Sequence, residues 1–139
     1  MAPCLVYALM EGGSLQDRLA CRGSDAVPLT VNERILVFSD TTRGLTYLHS
    51  EVCVIHRDVK SANVLLDEGC RDRIGDFGIA RSLKDKGGGI TFTDLQTEHV
   101  MGTQVYMTPE YHHDGEMSTK VDAFAFGLVI IKTLTGYAV

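Results

Sequence analysis

No C-x-x-C pair occurs among the four cysteines, Cys4, Cys21, Cys53 and Cys70, and no histidine stands at metal-ligand spacing from a cysteine pair. A structural zinc site is therefore excluded. Four cysteines in 139 residues are also too sparse for a disulfide framework, so they read as free thiols in a reducing compartment. An excess of base is missing as well. Thirteen Lys+Arg stand against 18 Asp+Glu, giving a net charge of -5 and a pI of about 5.4, which argues against a nucleic-acid binder. Neither a proline-rich linker nor an internal repeat divides the chain, and its length suits one domain. Wholesale disorder is excluded by a 45% hydrophobic and 22% charged composition. Such a chain buries roughly two thirds of its surface on folding. Long apolar runs are lacking too. The most apolar stretch, Ala123 to Val139, is short for a membrane span and is interrupted by Lys132, so it reads as a buried helix. Met1 to Leu9 has no basic segment followed by an apolar core, so no signal peptide is expected.

Leu5 to Leu9 is a short run of apolar and β-forming residues ended by Gly12-Gly13, which predicts a buried strand entering a turn. Ser14 is placed to cap a short helix over Leu15 to Leu19, and residues 22–30 read as loop. The strongest helix runs from Thr30 to Ser50. Thr30 with Glu33 forms a capping box, and Ile35, Phe38, Leu45 and Leu48 supply the apolar face. Val52 to Ile55 is a short β-branched run. Residues 63–67 and 73–75 predict two strands about a turn at Glu68-Gly69. The polar, glycine-rich stretch 82–99 predicts a mobile loop. A second helix, Asp122 to Leu134, is apolar on nearly all sides and reads as buried.

The chemistry-bearing residues lie between the two helices. His56-Arg57-Asp58 is followed by Lys60 and Asn63, then by Asp76-Phe77-Gly78, Gly102-Thr103, Tyr106-Met107 and Thr108-Pro109-Glu110. Taken singly, Asp58, Asn63 and Asp76 are ordinary loop polars, and His56, Leu65 and Phe77 are ordinary core residues. Taken together, these residues resemble the protein kinases through an H-R-D-x-K-x-x-N loop, a D-F-G motif and an A-P-E-like motif. Each match has a chance likelihood of about one in 20, so a dozen in order are not coincidence. The run from His56 to Asp67 is worded as in the Pelle, interleukin-1-receptor-associated and plant receptor-like kinases. Leu5-Val6-Tyr7, Gly13-Ser14-Leu15 and Asp17-Arg18-Leu19 point the same way.

The resemblance implies a protein-kinase-like fold: a mainly α C-lobe with short β-strands, the hinge included and most of the N-lobe absent. Residues 1–139 would then hold the hinge, helices D and E, the catalytic loop, the activation segment and helix F. It implies ATP- and Mg2+-dependent transfer of phosphoryl groups to Ser/Thr hydroxyls of protein substrates, in signalling. The expected location is the cytoplasm, or the cytoplasmic part of a membrane-associated protein. Phosphoryl transfer depends on positioned charge more than on covalent chemistry. Asp58 suits the group that orients the attacking hydroxyl and takes its proton. Lys60 suits the cation that offsets phosphate charge, and its place after Asp58 marks the Ser/Thr kinases. Asn63 and Asp76 supply oxygen ligands for magnesium. By resemblance, Tyr7 to Met10 is the gatekeeper and hinge, with Met10 bonding the adenine edge, Leu65 flooring the adenine and Asp17 reaching the ribose. Thr103 tethers the catalytic loop. Arg57 and Arg81 are placed to pair with a phosphate on the activation loop, for which Thr97 is the first candidate and Thr91 and Thr93 are alternatives. Asp122 is expected to brace the catalytic-loop backbone. On residues alone it is simply an acid favoured at a helix N-terminus. His112-His113 with His99 reads as a solvated surface group rather than a metal site, since adjacent histidines point apart.

Departures from the family pattern accompany the matches. Only six residues precede Tyr7, so no Gly-rich phosphate loop, strand lysine or αC glutamate is present, and the chain stops soon after the second helix. The lysine–glutamate pair is required for kinase activity. Glu110 would lack its family arginine partner, and one flank of the second helix would be uncovered. The isolated chain is expected to be poorly stable with little or no kinase activity. The alternative to a fragment of an active kinase is a non-catalytic kinase-like scaffold or decoy. The undegraded Asp58, Lys60, Asn63 and Asp76 favour the former.

Overall fold

Thr30 is extended (φ -66°, ψ 164°), and its hydroxyl accepts the Glu33 N–H at 3.2 Å while the Glu33 carboxylate accepts the Thr30 N–H at 2.7 Å. This reciprocal cap starts the longer of the two N-terminal helices, Val31–Tyr47. The computed structural model describes residues 4–21, 27–83 and 95–136. Strand β1 (Gly13–Ser14) leads into helix α1 (Leu15–Leu19), with the Ser14 hydroxyl accepting the Asp17 N–H at 3.1 Å. Helix α2 (Val31–Tyr47) follows the Thr30 cap and widens into a π-helical turn, Leu48–Val52. Cys53, in the left-handed region at φ 57°, closes that turn by donating its N–H to the Leu48 carbonyl. The expected helix thus runs two residues past Ser50, with its last turn overwide.

The buried stripe of α2 differs from the expected one. Val37, Thr41 and Leu45 are buried and Leu48 packs behind them, whereas Ile35 is 56% exposed. Thr41 hides this stripe in the sequence, because its polarity is met inside the protein: its hydroxyl donates to Asp72 Oδ2 at 2.8 Å. Each fully buried aliphatic side chain here is worth about 1.5–3 kcal/mol.

Two strands form the expected hairpin, β3 (Val64–Leu66) and β4 (Asp72–Ile74), preceded by the short strand β2 (Val54–Ile55). Asp67 shapes the turn, its Oδ1 accepting the N–H groups of Gly69 and Arg71, both at 2.9 Å. β1 adds antiparallel to β3, giving the order β1-β3-β4. β2 pairs with β5 (Arg81–Ser82), and β6 (Leu95–Gln96) pairs with β7 (Glu116–Met117). The stretch 82–99 is therefore not wholly loop: it begins in paired strand at Ser82 and holds the paired strand Leu95–Gln96, and Thr91 and Thr93 lie outside the described residues.

Thr108 caps the six-residue helix α3 (Pro109–Asp114), and Ser118 caps α4 (Thr119–Thr135), which starts three residues before the expected Asp122. Ala125 and Val129 of α4 join Val37 and Leu45 of α2 in the main core, and the Arg34 guanidinium ties the two helices by donating to the Thr133 carbonyl. A smaller cluster gathers Ile55, Leu83, Tyr111, Met117 and Val121. α4 is not buried all round: Phe124, Ile131 and Leu134 face solvent.

Residues Leu5 to Leu9 correct the expectation of a buried strand. They form no strand, and Leu5, Val6, Tyr7 and Leu9 are all exposed. β propensity gains nothing without a partner ladder and a covering layer, and no described strand pairs with this segment.

Candidate active site

A single buried carboxylate sets the loop at 56–58. Asp122, in the first turn of α4 and fully buried, accepts the His56 N–H at Oδ2 and the Arg57 N–H at Oδ1, both at 2.8 Å. His49 Nε2, from the π-helical turn, adds a third contact at 2.8 Å. The bracing role expected of Asp122 is thus seen, and it exceeds a helix-dipole preference. Arg57 is held at φ 72°, a conformation that costs a non-glycine residue of order 1 kcal/mol or more. His56 Nε2 donates to the Gly75 carbonyl at 2.9 Å and its Nδ1 accepts the Asp58 N–H at 3.3 Å, so the ring links this loop to the end of β4.

Asp58 stands at the centre of a converging set. Lys60 Nζ donates to its Oδ2 at 2.6 Å and to Thr103 Oγ1 at 2.9 Å. Thr103 donates its N–H (3.1 Å) and hydroxyl (2.7 Å) to Asp58 Oδ1. Asn63 Nδ2 donates to the Asp58 carbonyl at 2.9 Å and to Oδ2 at 3.1 Å. Burial pushes the Asp58 carboxyl up. The Lys60 and Thr103 hydrogen bonds and the Lys60 charge outweigh that, and hold it below the usual carboxylate range. Gly102 permits the close approach: at φ 129°, a Cβ there would lie 2.6 Å from the Arg57 carbonyl oxygen.

Asn63 and Asp76 flank the open end of the β3–β4 hairpin. The Gly75 N–H donates to the Asn63 carbonyl at 2.8 Å, which extends the ladder by one rung and brings the two residues to the same edge. Asp76 is exposed, takes φ 63°, and receives the Gly78 N–H at 3.3 Å. Phe77 packs edge-on against the His56 ring, centroids 4.8 Å apart. The Asn63 amide nitrogen turns to Asp58, so its amide oxygen and the Asp76 carboxylate are the oxygens at this end of the hairpin that could hold a hard divalent cation.

A loop acid gripped by a lysine and a threonine, with Asn63 and Asp76 at the end of the neighbouring hairpin, has the positioned charge that phosphoryl transfer requires. A family model described as "Protein kinase domain" matches residues 2–139. The chain belongs to the protein kinase domain family. It is 40% identical over 136 residues to the "Pelle-like serine/threonine-protein kinase pik-1" of Caenorhabditis elegans, covering 96% of this chain and 28% of that protein. It is 39% identical over 138 residues to the "Serine/threonine-protein kinase pelle" of Drosophila melanogaster, covering 96% and 27%. To "Interleukin-1 receptor-associated kinase 1" of Bos taurus it is 39% identical over 136 residues, covering 96% and 19%. The chain thus spans less than a third of these relatives. Kinases of this family use ATP and a divalent metal to phosphorylate proteins.

The remaining residues singled out for this kinase domain fall into two groups. Leu65 is half-buried beside Gly75 and pairs with Ser14 across β1 and β3, which places it next to the helix that carries Asp17. The Asp17 carboxylate accepts the Ser14 hydroxyl at 2.6 Å, and the Met10 carbonyl accepts the Gly13 N–H at 3.0 Å. Tyr7 stands apart, 74% exposed. Of the regulatory set, Thr103 touches Asp58, whereas Arg81 is exposed on β5. The Thr97 N–H donates to the Gly115 carbonyl at 3.0 Å, and its hydroxyl bridges the His99 N–H and carbonyl, both at 3.3 Å. Arg57 points its guanidinium at the Tyr111 hydroxyl and at the carbonyls of Ile79 (3.3 Å) and His99 (3.1 Å). Tyr111 is the residue sequence reasoning missed, and only its position after Thr108-Pro109-Glu110 hinted at it. His112 and His113 are exposed, but they do not point apart. Their rings meet edge to face, 4.9 Å between centroids, because both sit in the short helix α3. A groove of about 660 Å3 lies between α2 and β4, and neither Asp58 nor Lys60 lines it. No described helix is long and apolar enough to cross a membrane.

Proposed function

We propose that the protein carrying this chain transfers a phosphoryl group from ATP, with Mg2+, to Ser/Thr hydroxyls of protein substrates in signalling. The observation that carries this reading is the grip of Lys60 and Thr103 on Asp58 beside the Asn63–Asp76 edge. Held ionised, Asp58 orients the substrate hydroxyl and accepts its proton, a role typically worth about 10²–10⁴ in rate. Lys60, already bonded to Asp58, places positive charge where the transferred phosphate would develop its own. Thr103 fixes the Asp58 rotamer through two hydrogen bonds to one oxygen. Asn63 and Asp76 would hold the magnesium ion, which when bound supplies charge neutralisation to the phosphates. Leu65 offers the apolar floor for the adenine, Met10 the backbone contacts to its edge, and Asp17 the ribose contact, with Tyr7 preceding them on the hinge.

The same reading assigns residues 1–139 to the hinge, helices D and E, the catalytic loop, the activation segment and helix F. Thr97 is the phosphate acceptor of that segment, supported by the reach of Arg57 to the nearby His99 carbonyl, and Arg81 is a second cation for it. Signalling proteins are the partners, in the cytoplasm or on the cytoplasmic part of a membrane-associated protein. The test is transfer of labelled phosphate from ATP with Mg2+ to peptides bearing Ser, Thr or Tyr, by the full-length protein and its Asp58→Asn variant. Label on Ser/Thr that falls at least about 10²-fold in the variant is expected. Label on Tyr alone, or a variant as active as the parent, refutes the proposal.

A further inference from the structure

We propose that the Tyr111 hydroxyl is a positioning group that locks the Met101–Thr103 loop onto the Arg57–Asp58 loop and so holds Asp58 in place. The proposal rests on the reading of Asp58 as the base. Tyr111 enters the core from the first turn of α3, where its N–H donates to the capping Thr108 hydroxyl at 3.1 Å. The side chain is fully buried among Ile55, Met117 and Val121. Packing there needs only the ring. The hydroxyl, however, accepts from Arg57 Nε (2.9 Å) and Nη2 (2.6 Å) and from the Met101 N–H (3.1 Å), and donates to the Met101 carbonyl at 3.0 Å. A phenol has one proton and two lone pairs, so these four contacts more than fill its capacity, and two of the three donors share a lone pair.

Both chains of contact end on the same carboxylate. Arg57 immediately precedes Asp58. Met101 is joined through Gly102 to Thr103, whose N–H and hydroxyl donate to Asp58 Oδ1. Arg57 is 9% exposed, and its guanidinium meets only neutral oxygens among the described residues, plus the Tyr111 ring at 5.6 Å. Two of its hydrogen bonds go to Tyr111. Removing that hydroxyl leaves a buried cation short of partners and the Met101 N–H and carbonyl unpaired, so both loops lose their common anchor.

The test is Tyr111→Phe in the full-length protein, read by steady-state kinetics and by amide hydrogen exchange. Expected are a kcat lower by about tenfold or more, because small misplacements of reacting groups are costly, and a KM for ATP within about twofold of the parent. Exchange at Met101 to Thr103 should quicken by about tenfold, with α4 unchanged. Parental kcat together with parental exchange at 101–103 overturns the proposal, as does acceleration spread evenly over the core. The exchange result does not depend on activity. A parent that transfers no phosphate while the 101–103 amides loosen in the variant keeps the clamp and defeats the catalytic reading. Should the variant not fold, the Arg57 Nε–H resonance of the unmodified protein decides. Slow solvent exchange supports the clamp, and exchange as fast as in free arginine overturns it.

Discussion

Replacing Asp72 with alanine should shift stability in the variant's favour as the solution becomes alkaline. Asp72 begins β4 and is 5% exposed. Its Oδ2 accepts the Thr41 hydroxyl at 2.8 Å, but Oδ1 is buried with no hydrogen-bond partner among the described residues. Burial raises its carboxyl from 3.8 to about 7. The Thr41 hydrogen bond opposes the rise, and the negative charge of Asp40 adds to it. Folding then binds a proton more tightly than unfolding does, so stability is fully present below the unfolded value and drains away up to the folded one. Each pKa unit is about 1.4 kcal/mol, so the full penalty at alkaline pH is about 4 kcal/mol, of which about 3 develops between about pH 5 and about pH 8. Against this, alanine leaves Thr41 without its acceptor, at about 1–3 kcal/mol if the hydroxyl cannot bond back to its own helix. Urea unfolding of parent and Asp72→Ala at the two pH values isolates the effect, since the other titrating groups are common to both. The parent should lose about 3 kcal/mol more than the variant on going from the acidic to the alkaline condition. A difference that does not change with pH would show that the carboxyl is ionised and solvated at little cost, and the reasoning would fail.

Other perturbations follow from the same geometry. Asp122→Ala leaves the His56 and Arg57 N–H groups buried and unpaired, and should cost about 2–5 kcal/mol in urea unfolding. Thr30→Ala removes the α2 cap and should cost about 1 kcal/mol. Gly102→Ala sets a Cβ 2.6 Å from the Arg57 carbonyl oxygen, so phosphoryl transfer in the full-length protein should fall at least about tenfold with ATP binding retained. Thr103→Ala strips one side-chain hydrogen bond from Asp58 and should lower kcat more than it raises KM for ATP, measured by initial rates.

Local signals carried much of this structure. Thr30 and Glu33 announced the start of α2 because a capping box is complete within four residues. Glu68-Gly69 announced the hairpin turn for the same reason, its bonds to Asp67 being local. The convergence of Asp58, Lys60, Asn63 and Thr103 was legible through motif wording, since that chemistry tolerates few substitutes. What escaped depended on distant partners. Thr41 looked like a surface residue until Asp72 met it from another element, so the apolar face of α2 was placed around Ile35 instead of Val37. Leu5 to Leu9 has the residues of a strand, but a strand exists only with a neighbour. Tyr111 gave no signal beyond its place after Thr108-Pro109-Glu110, because its importance lies in contacts with Arg57 and Met101 that no spacing rule connects.

The dependence of the 56–58 loop on Asp122 also has a consequence for how the protein is made. The carboxylate that fixes His56 is supplied 66 positions later in the chain. A ribosome adding about 5–20 residues per second takes roughly 3–13 s to cover that distance. Throughout that interval the His56 and Arg57 N–H groups lack the carboxylate that pairs with them in the folded protein. The loop around Asp58 therefore reaches its final backbone form only after the start of α4 has been made, and that timing is written into the order of the sequence.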